Sequence, residues 1–350
     1  MMKSKIIICI FLVTTICFFS CSDDDSEYNN QNDSEAGVFF LVNSGSTQRL
    51  HFLNTSQKEM KYSIYANVNQ ELLGNAIHIP NSDYVIDLVK HGDNLFAYTS
   101  KDSVKIINAT TLLKENSFKI EVEDELESPN MLLYVDDESY YLTNYENMAI
   151  YDKDTHVQQK SISLSVYNLE AGSLDQIFVL SNNVYTWNKE ESRLNAINPN
   201  LTSGSLNIFQ LENIRYVTNN NQKIYALTAD QKLLIIDPVT NEIEEEIAFD
   251  GNEELDYYFC VDENKIYVLS EQGGLFRHTL GENGFEILID NISNLKEDEE
   301  QRPQNFFIKD GIFYYYEFGN IGELWSYNIE EASLASYYIN NYRPIKTVFK

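Results

Sequence analysis

Short apolar and aromatic runs alternate along most of this chain with turns of Asp, Asn and Gly. The pattern is strand-like, since helical periodicity is nearly absent. One unit recurs: a short apolar strand, a polar turn, then an aromatic strand. Its turn and second strand read Asp93-Asn94-Leu95-Phe96-Ala97-Tyr98, Asp137-Glu138-Ser139-Tyr140-Tyr141-Leu142, and Asn182-Asn183-Val184-Tyr185-Thr186-Trp187. The series continues at Gln222–Leu227, Glu263–Leu269 and Asp310–Tyr315. The aligned aromatics Phe96, Tyr141, Tyr185, Tyr225, Tyr267 and Phe313 stand 45, 44, 40, 42 and 46 residues apart. Phe39 or Phe40 supplies the same position in a first unit, giving seven.

A third strand ending in a polar turn follows at Val104–Asn108, Met148–Asp152 and Leu233–Asp237. A fourth follows at Lys160–Leu164 and Glu246–Phe249. Four strands per unit of this length predict an all-β fold, a seven-bladed β-propeller over residues 37–350. Two β-sandwiches would not produce a single period. The strand-like Ile345–Phe349 is expected to pair with an N-terminal strand, because an open ring would bare its edges. The turn Asp237-Pro238-Val239-Thr240-Asn241-Glu242 reads as architectural, and Glu297 to Gln301 as an acidic loop.

The N-terminus departs from this pattern. Lys3 and Lys5 precede an uncharged, mostly apolar run, Ile6 to Phe19, and Cys21 is followed at once by Ser22-Asp23-Asp24-Asp25. The run has signal-peptide length and ends too abruptly for a membrane span. Residues 1–20 are therefore expected to be a cleaved signal. Residues 21–36 hold no large aliphatic side chain and read as an acidic flexible tether. Cys21 resembles the lipobox cysteine of bacterial lipoproteins, whose thiol is acylated, although Phe18 and Phe19 stand where a Leu and a small residue are commoner. The Ser-Asp-Asp-Asp tail resembles the surface-export signal of Bacteroidetes lipoproteins. Together these imply an outer-membrane protein, lipid-anchored through Cys21 and exposed at the cell surface.

The formal net charge is −29. Loss of residues 1–20 removes two lysines and no acid, leaving 23 basic against 54 acidic groups. Such a surface repels phosphate backbones, so no nucleic-acid partner is expected, and contact with the membrane is left to the lipid. Beyond residue 21 only Cys260 remains, in the apolar run Tyr258–Val261. Disulfides and thiolate metal sites are thereby excluded from the mature domain, and a buried core thiol is expected.

Candidate binding residues fall in the loops that lead into each first strand, which in a propeller ring one mouth of the central channel. These loops supply Tyr84, Asn130, Arg215, Tyr216, Tyr257, Tyr258, Gln304, Asn305 and Arg343. Arginine is scarce, yet Arg215, Arg302 and Arg343 all fall there. Aromatic faces, amides and guanidinium forks suit a small-molecule or glycan ligand with flat or ring-shaped parts. The five histidines are scattered, without a paired-histidine metal motif or a nucleophile beside one. The acids Asp136-Asp137 and Glu244-Glu245-Glu246 fall at turns or strand edges. The expectation is a binding protein and not an enzyme, with no catalytic residue, metal or cofactor. A protein-interaction platform and a polysaccharide-active hydrolase or lyase are the alternatives.

The turn Ile236 to Glu242, the Lys-Ile-Tyr strand starts and the opening Val38-Phe39-Phe40-Leu41-Val42-Asn43-Ser44-Gly45 resemble one family. It is the YncE-like surface propellers of Bacteroidetes, including lipoproteins of the DUF5074 group. The resemblance covers about residues 37 to 349 and implies seven blades. Some members capture cobalamin outside the cell and hand it to a TonB-dependent transporter, which makes such a transporter the implied partner. The sequence departs from that pattern in its short Asn43-Ser44-Gly45-Ser46 opening and at Trp187-Asn188, which interrupts one blade.

Overall fold

The computed structural model describes residues 36–75, 82–101, 103–119, 132–143, 147–167, 174–199, 209–220, 222–249, 255–292, 303–309, 311–317, 323–338 and 344–349. The signal expected at residues 1–20, the tether expected at 21–36 except Ala36, with Cys21, and the acidic loop at Glu297 to Gln301 lie outside them.

Seven small antiparallel sheets form the ring of a β-propeller. Blade 1 is built from both ends of the chain: Pro344–Phe349, then Gly37–Ser44, Thr47–Asn54 and Glu59–Lys61. Blades 2 to 7 start at Val85, Leu133, Gln176, Ile214, Leu255 and Pro303, each with four strands in chain order from the axis outward. The C-terminal strand is thus the innermost strand of blade 1, hydrogen-bonded to Gly37–Ser44 from Val38↔Phe349 to Val42↔Pro344. The closure expected from Ile345–Phe349 is present.

Apolar clusters lie between successive blades, because both faces of every sheet are covered. Phe96 and Val104 of blade 2 meet Leu133 and Tyr140 of blade 3. Tyr185 and Trp187 of blade 4 meet Ile214 and Ile224 of blade 5. Val38 and Phe40 of blade 1 meet Phe307 and Tyr314 of blade 7. The aromatic on each second strand faces the next blade: Phe96, Tyr141, Tyr185, Tyr225 and Tyr267 all do so. In blade 7 the expected Phe313 faces back toward blade 6, and Tyr314 takes the equivalent place. A one-residue slip reverses the face, which spacing between two adjacent aromatics could not reveal. The same alternation makes Phe39 and not Phe40 the blade 1 member, since Phe40 packs on blade 7.

Trp187-Asn188 does not interrupt blade 4. Both residues complete the continuous strand Asn183–Asn188, and the Trp187 indole donates to the Ile214 carbonyl of blade 5 at 3.3 Å.

Third strands end in one recurring turn. Asn54, Asn108, Asp152, Asp237 and Asn328 each accept, through the side chain, a backbone N–H two or three residues on. Four residues after each, Lys58, Leu112, His156, Asn241 and Ala332 adopt the left-handed conformation. The polar turns are therefore architectural, as expected of Asp237–Glu242.

The segment between blades 1 and 2 carries a short helix, α1 (Ile64–Asn69), which the sequence pattern did not indicate. Beyond it Gly74 pairs with Gln48, whose side chain accepts the Val85 N–H and donates to the Val85 carbonyl of blade 2. A Cβ at Gly74 would stand 2.5 Å from the Gln48 oxygen, so the close approach requires glycine.

Candidate functional site at the first mouth

Antiparallel order puts two sets of connections at one end of the ring: those leading into the innermost strands, and the turns between second and third strands. This end is called the first mouth.

The innermost strands are irregular here. Register breaks fall between Ile214 and Tyr216 in blade 5, Val85 and Asp87 in blade 2, and Pro303 and Asn305 in blade 7. In blade 1 the break sets Ile345 out of register, and in blade 6 it spans Leu255 to Phe259. Among the described residues, five of the seven innermost strands are therefore bulged near their first residues. A bulge inserts an unpaired residue, bends the strand and re-aims side chains. Its effect on burial is visible in blade 5, where Ile214 and Val217 both enter the core although three residues apart. Val85 and Leu88 of blade 2 are both fully buried at the same spacing.

The sequence-predicted residues distribute as follows. Arg215 is the extra residue of the blade 5 bulge and is partly exposed. Tyr257 and Tyr258 lie within the blade 6 bulge, Gln304 is the extra residue of blade 7, and Asn305 follows it. For these four the backbone alone is described. Tyr84 precedes the first strand of blade 2 and exchanges hydrogen bonds with Ser100. Tyr216 is occupied by packing, edge-on to both Trp187 and Phe259 at 5.7 and 5.3 Å. Asn130 and Arg343 lie outside the described residues.

Sequence reasoning missed Asp87. Its carboxylate is buried on the innermost strand of blade 2. It accepts its own strand's Leu88 N–H at 2.9 Å and the Leu133 N–H of blade 3 at 3.0 Å. Lys346, on the closing strand of blade 1, pairs with it at 2.6 Å. One side chain thus ties together three adjacent blades at the seam of ring closure. The signal was present: Asp87 is the one acid in the apolar run Val85-Ile86-Asp87-Leu88-Val89. Asp87→Asn should lower unfolding free energy by roughly 2 kcal/mol, since an amide cannot accept from three donors at once. Chemical denaturation measures it; an unchanged midpoint would show that the seam does not depend on this contact.

The described histidines do not converge. His51 and His278 are buried in different blades, and His91 meets the exposed Asp137 at 2.9 Å. His156 stacks on Phe118 at a turn of blade 3. Asp136 accepts the Glu138 and Ser139 N–H groups, and Glu244 and Glu246 pair with Lys223 and Lys232. Cys260 is only partly buried, not the fully buried thiol expected, yet desolvation pushes its thiol up, away from the thiolate a nucleophile needs. No group of three metal-ligating side chains occurs among the described residues, and no helix there is long and apolar enough to cross a membrane.

No protein-family model and no curated protein matches the sequence. Solved structures do match in fold. A Bacteroides fragilis protein provisionally named a 6-phosphogluconolactonase aligns with a TM-score of 0.54 and 12% identity, over 91% of this chain and 99% of its own. A Bacteroides uniformis protein with the same provisional name gives 0.53 and 11%, over 90% and 99%. The computationally designed Ika8 protein gives 0.52 and 11%, over 89% of each chain. At these identities the likeness establishes the propeller fold, which fits a binding or interaction role, and leaves the chemistry to the site.

Proposed function

We propose that this chain is a lipid-anchored, cell-surface binding propeller of the YncE-like type, whose first mouth captures a nutrient or cofactor for a TonB-dependent outer-membrane transporter. The observation that carries the reading is the clustering of bulges at one mouth. Regular pairing of those strands would be cheaper in backbone hydrogen bonds, so five departures at one end speak for a surface shaped to bind. The residues at the bulges include a guanidinium, two phenols and an amide, a set suited to a polar ligand with flat parts. Residues 1–20 as signal, 21–36 as tether and acylation of Cys21 belong to the same proposal and place the mouth outside the cell.

Thermal-shift titration of the chain from Ala36 onward with corrinoids, haem, siderophores and oligosaccharides tests it. Joint replacement of Arg215, Tyr257 and Tyr258 by Ala should weaken the ligand found by more than about tenfold. Undiminished binding would move the site away from this mouth.

A second reading, a platform for a protein partner, draws on the opposite mouth. There Leu113, Val157, Val239 and Ile243 are exposed at the turns between third and fourth strands. It predicts that small molecules bind nowhere on the ring.

A further inference from the structure

Blade 4 turns a polar face toward blade 3 at its first-mouth end. Thr186 pairs across strands with Asn195, and Asn188 with Arg193, all four on that face. Thr186, Asn188 and Asn195 are buried, at 0%, 0% and 3% exposure. Ile177, directly opposite Thr186 on the innermost strand, and Val184 and Ile197, farther from this mouth, make the rest of the face apolar and pack on Tyr141, Met148 and Ile150 of blade 3.

Three polar atoms on this patch are buried without a hydrogen-bond partner: Thr186 Oγ1, Asn195 Nδ2 and Arg193 Nε. Their neighbours are otherwise engaged. Asn188 Oδ1 accepts the Glu191 N–H at 3.0 Å, and Arg193 Nη1 meets Glu191 at 3.2 Å. Directly opposed residues of adjacent strands stand about 5 Å apart and the next pair along about 7 Å, so the three side chains are neighbours on one face. Solvent does not touch their donors, and a ligand reaches them only as the seam parts locally.

An unpaired buried donor costs roughly 1–3 kcal/mol, and a domain is stable by only about 5–15 kcal/mol. Three orphans on one patch are therefore a large burden. Valine and leucine at these positions would simply extend the apolar seam. A hydroxyl, an amide NH2 and a guanidinium N–H together match the lone pairs of a carboxylate. We infer that the seam between blades 3 and 4 is a second binding site, taking the carboxylate group of a small molecule. It lies off the central axis and does not depend on the mouth ligand.

The melting temperature of the protein in sodium acetate, against sodium chloride at equal ionic strength, tests this. Acetate at ten times its dissociation constant should raise it by about 2 °C over chloride. The Thr186→Val, Asn195→Leu double variant should melt at or above the parent temperature in chloride, because it removes orphaned groups, and lose the acetate-specific rise. A merely structural role would instead lower its melting temperature in both salts. Arg193→Gln, at the exposed rim, should weaken the acetate response about tenfold and serves if the double variant does not fold. A parent protein indifferent to acetate, a rise retained in the variants, or a crystal grown in acetate with only water against Thr186 and Asn195 would overturn the assignment.

Discussion

A chain ending at Tyr338 is expected to lose the cooperative unfolding transition of the full-length protein. The truncation deletes Pro344–Phe349, the innermost strand of blade 1. Gly37–Ser44 would then present an unpaired edge at the centre of the ring, made of Val38, Phe39, Phe40, Leu41 and Val42, all buried in the intact fold. The loss includes the backbone ladder to that strand and the Lys346–Asp87 pair. At roughly 1 kcal/mol per hydrogen bond and ~25 cal/mol per Å² of apolar surface, the total approaches the whole stability of a domain. A bare apolar edge is also a template for intermolecular pairing. Size-exclusion chromatography and calorimetry should show aggregate and no sharp melt. A monomer melting near the parent temperature would mean that the blade interfaces alone hold the ring, as in an open solenoid.

The ring was legible because its unit repeats a physical requirement. Each second strand needs a large side chain to fill the wedge toward the next blade, and Phe96, Tyr141, Tyr185, Tyr225 and Tyr267 meet it at nearly constant spacing. Legibility fails where the requirement is met twice in a row. Phe313-Tyr314-Tyr315 offers an aromatic to either face, and only the register decides. Helix α1 was hidden for a different reason. Its six residues hold no capping side chain, and Ser63 and Gln70 at its ends are both left-handed. It forms because Ile64 and Tyr65 bury themselves beside blade 1, a tertiary cause without a local signature.

The candidate site was only partly legible. Loop chemistry pointed to Arg215, Tyr257, Tyr258 and Gln304, and the bulges fall on those positions. The bulges themselves leave only a weak trace, a pair of core residues three apart where a strand would space them by two. Asp87 was passed over because a single acid in a strand is usually solvated. Its role depends on Leu133 and Lys346, which are 46 and 259 residues away in sequence.

Acid should weaken the fold through His51 well before most carboxylates titrate. His51 is fully buried on the third strand of blade 1, edge-on to Tyr62, and its Nδ1 accepts the Ser63 N–H at 2.9 Å. Burial, aided by the nearby positive charge of Arg49, lowers its pKa to about 4. In the unfolded chain the same imidazole titrates near 6.5. Between these values the unfolded state holds a proton that the folded state excludes, so stability is fully present above about 6.5 and is lost as pH falls toward about 4. The gap corresponds to ~3 kcal/mol. His51→Leu removes the titration and also the acceptor for Ser63, which costs roughly 1 kcal/mol at neutral pH. The two stability curves should therefore cross: the variant is weaker near about pH 7 and stronger near about pH 4.5. Urea midpoints at the two pH values measure it. Parallel curves would show that His51 does not govern the acid response.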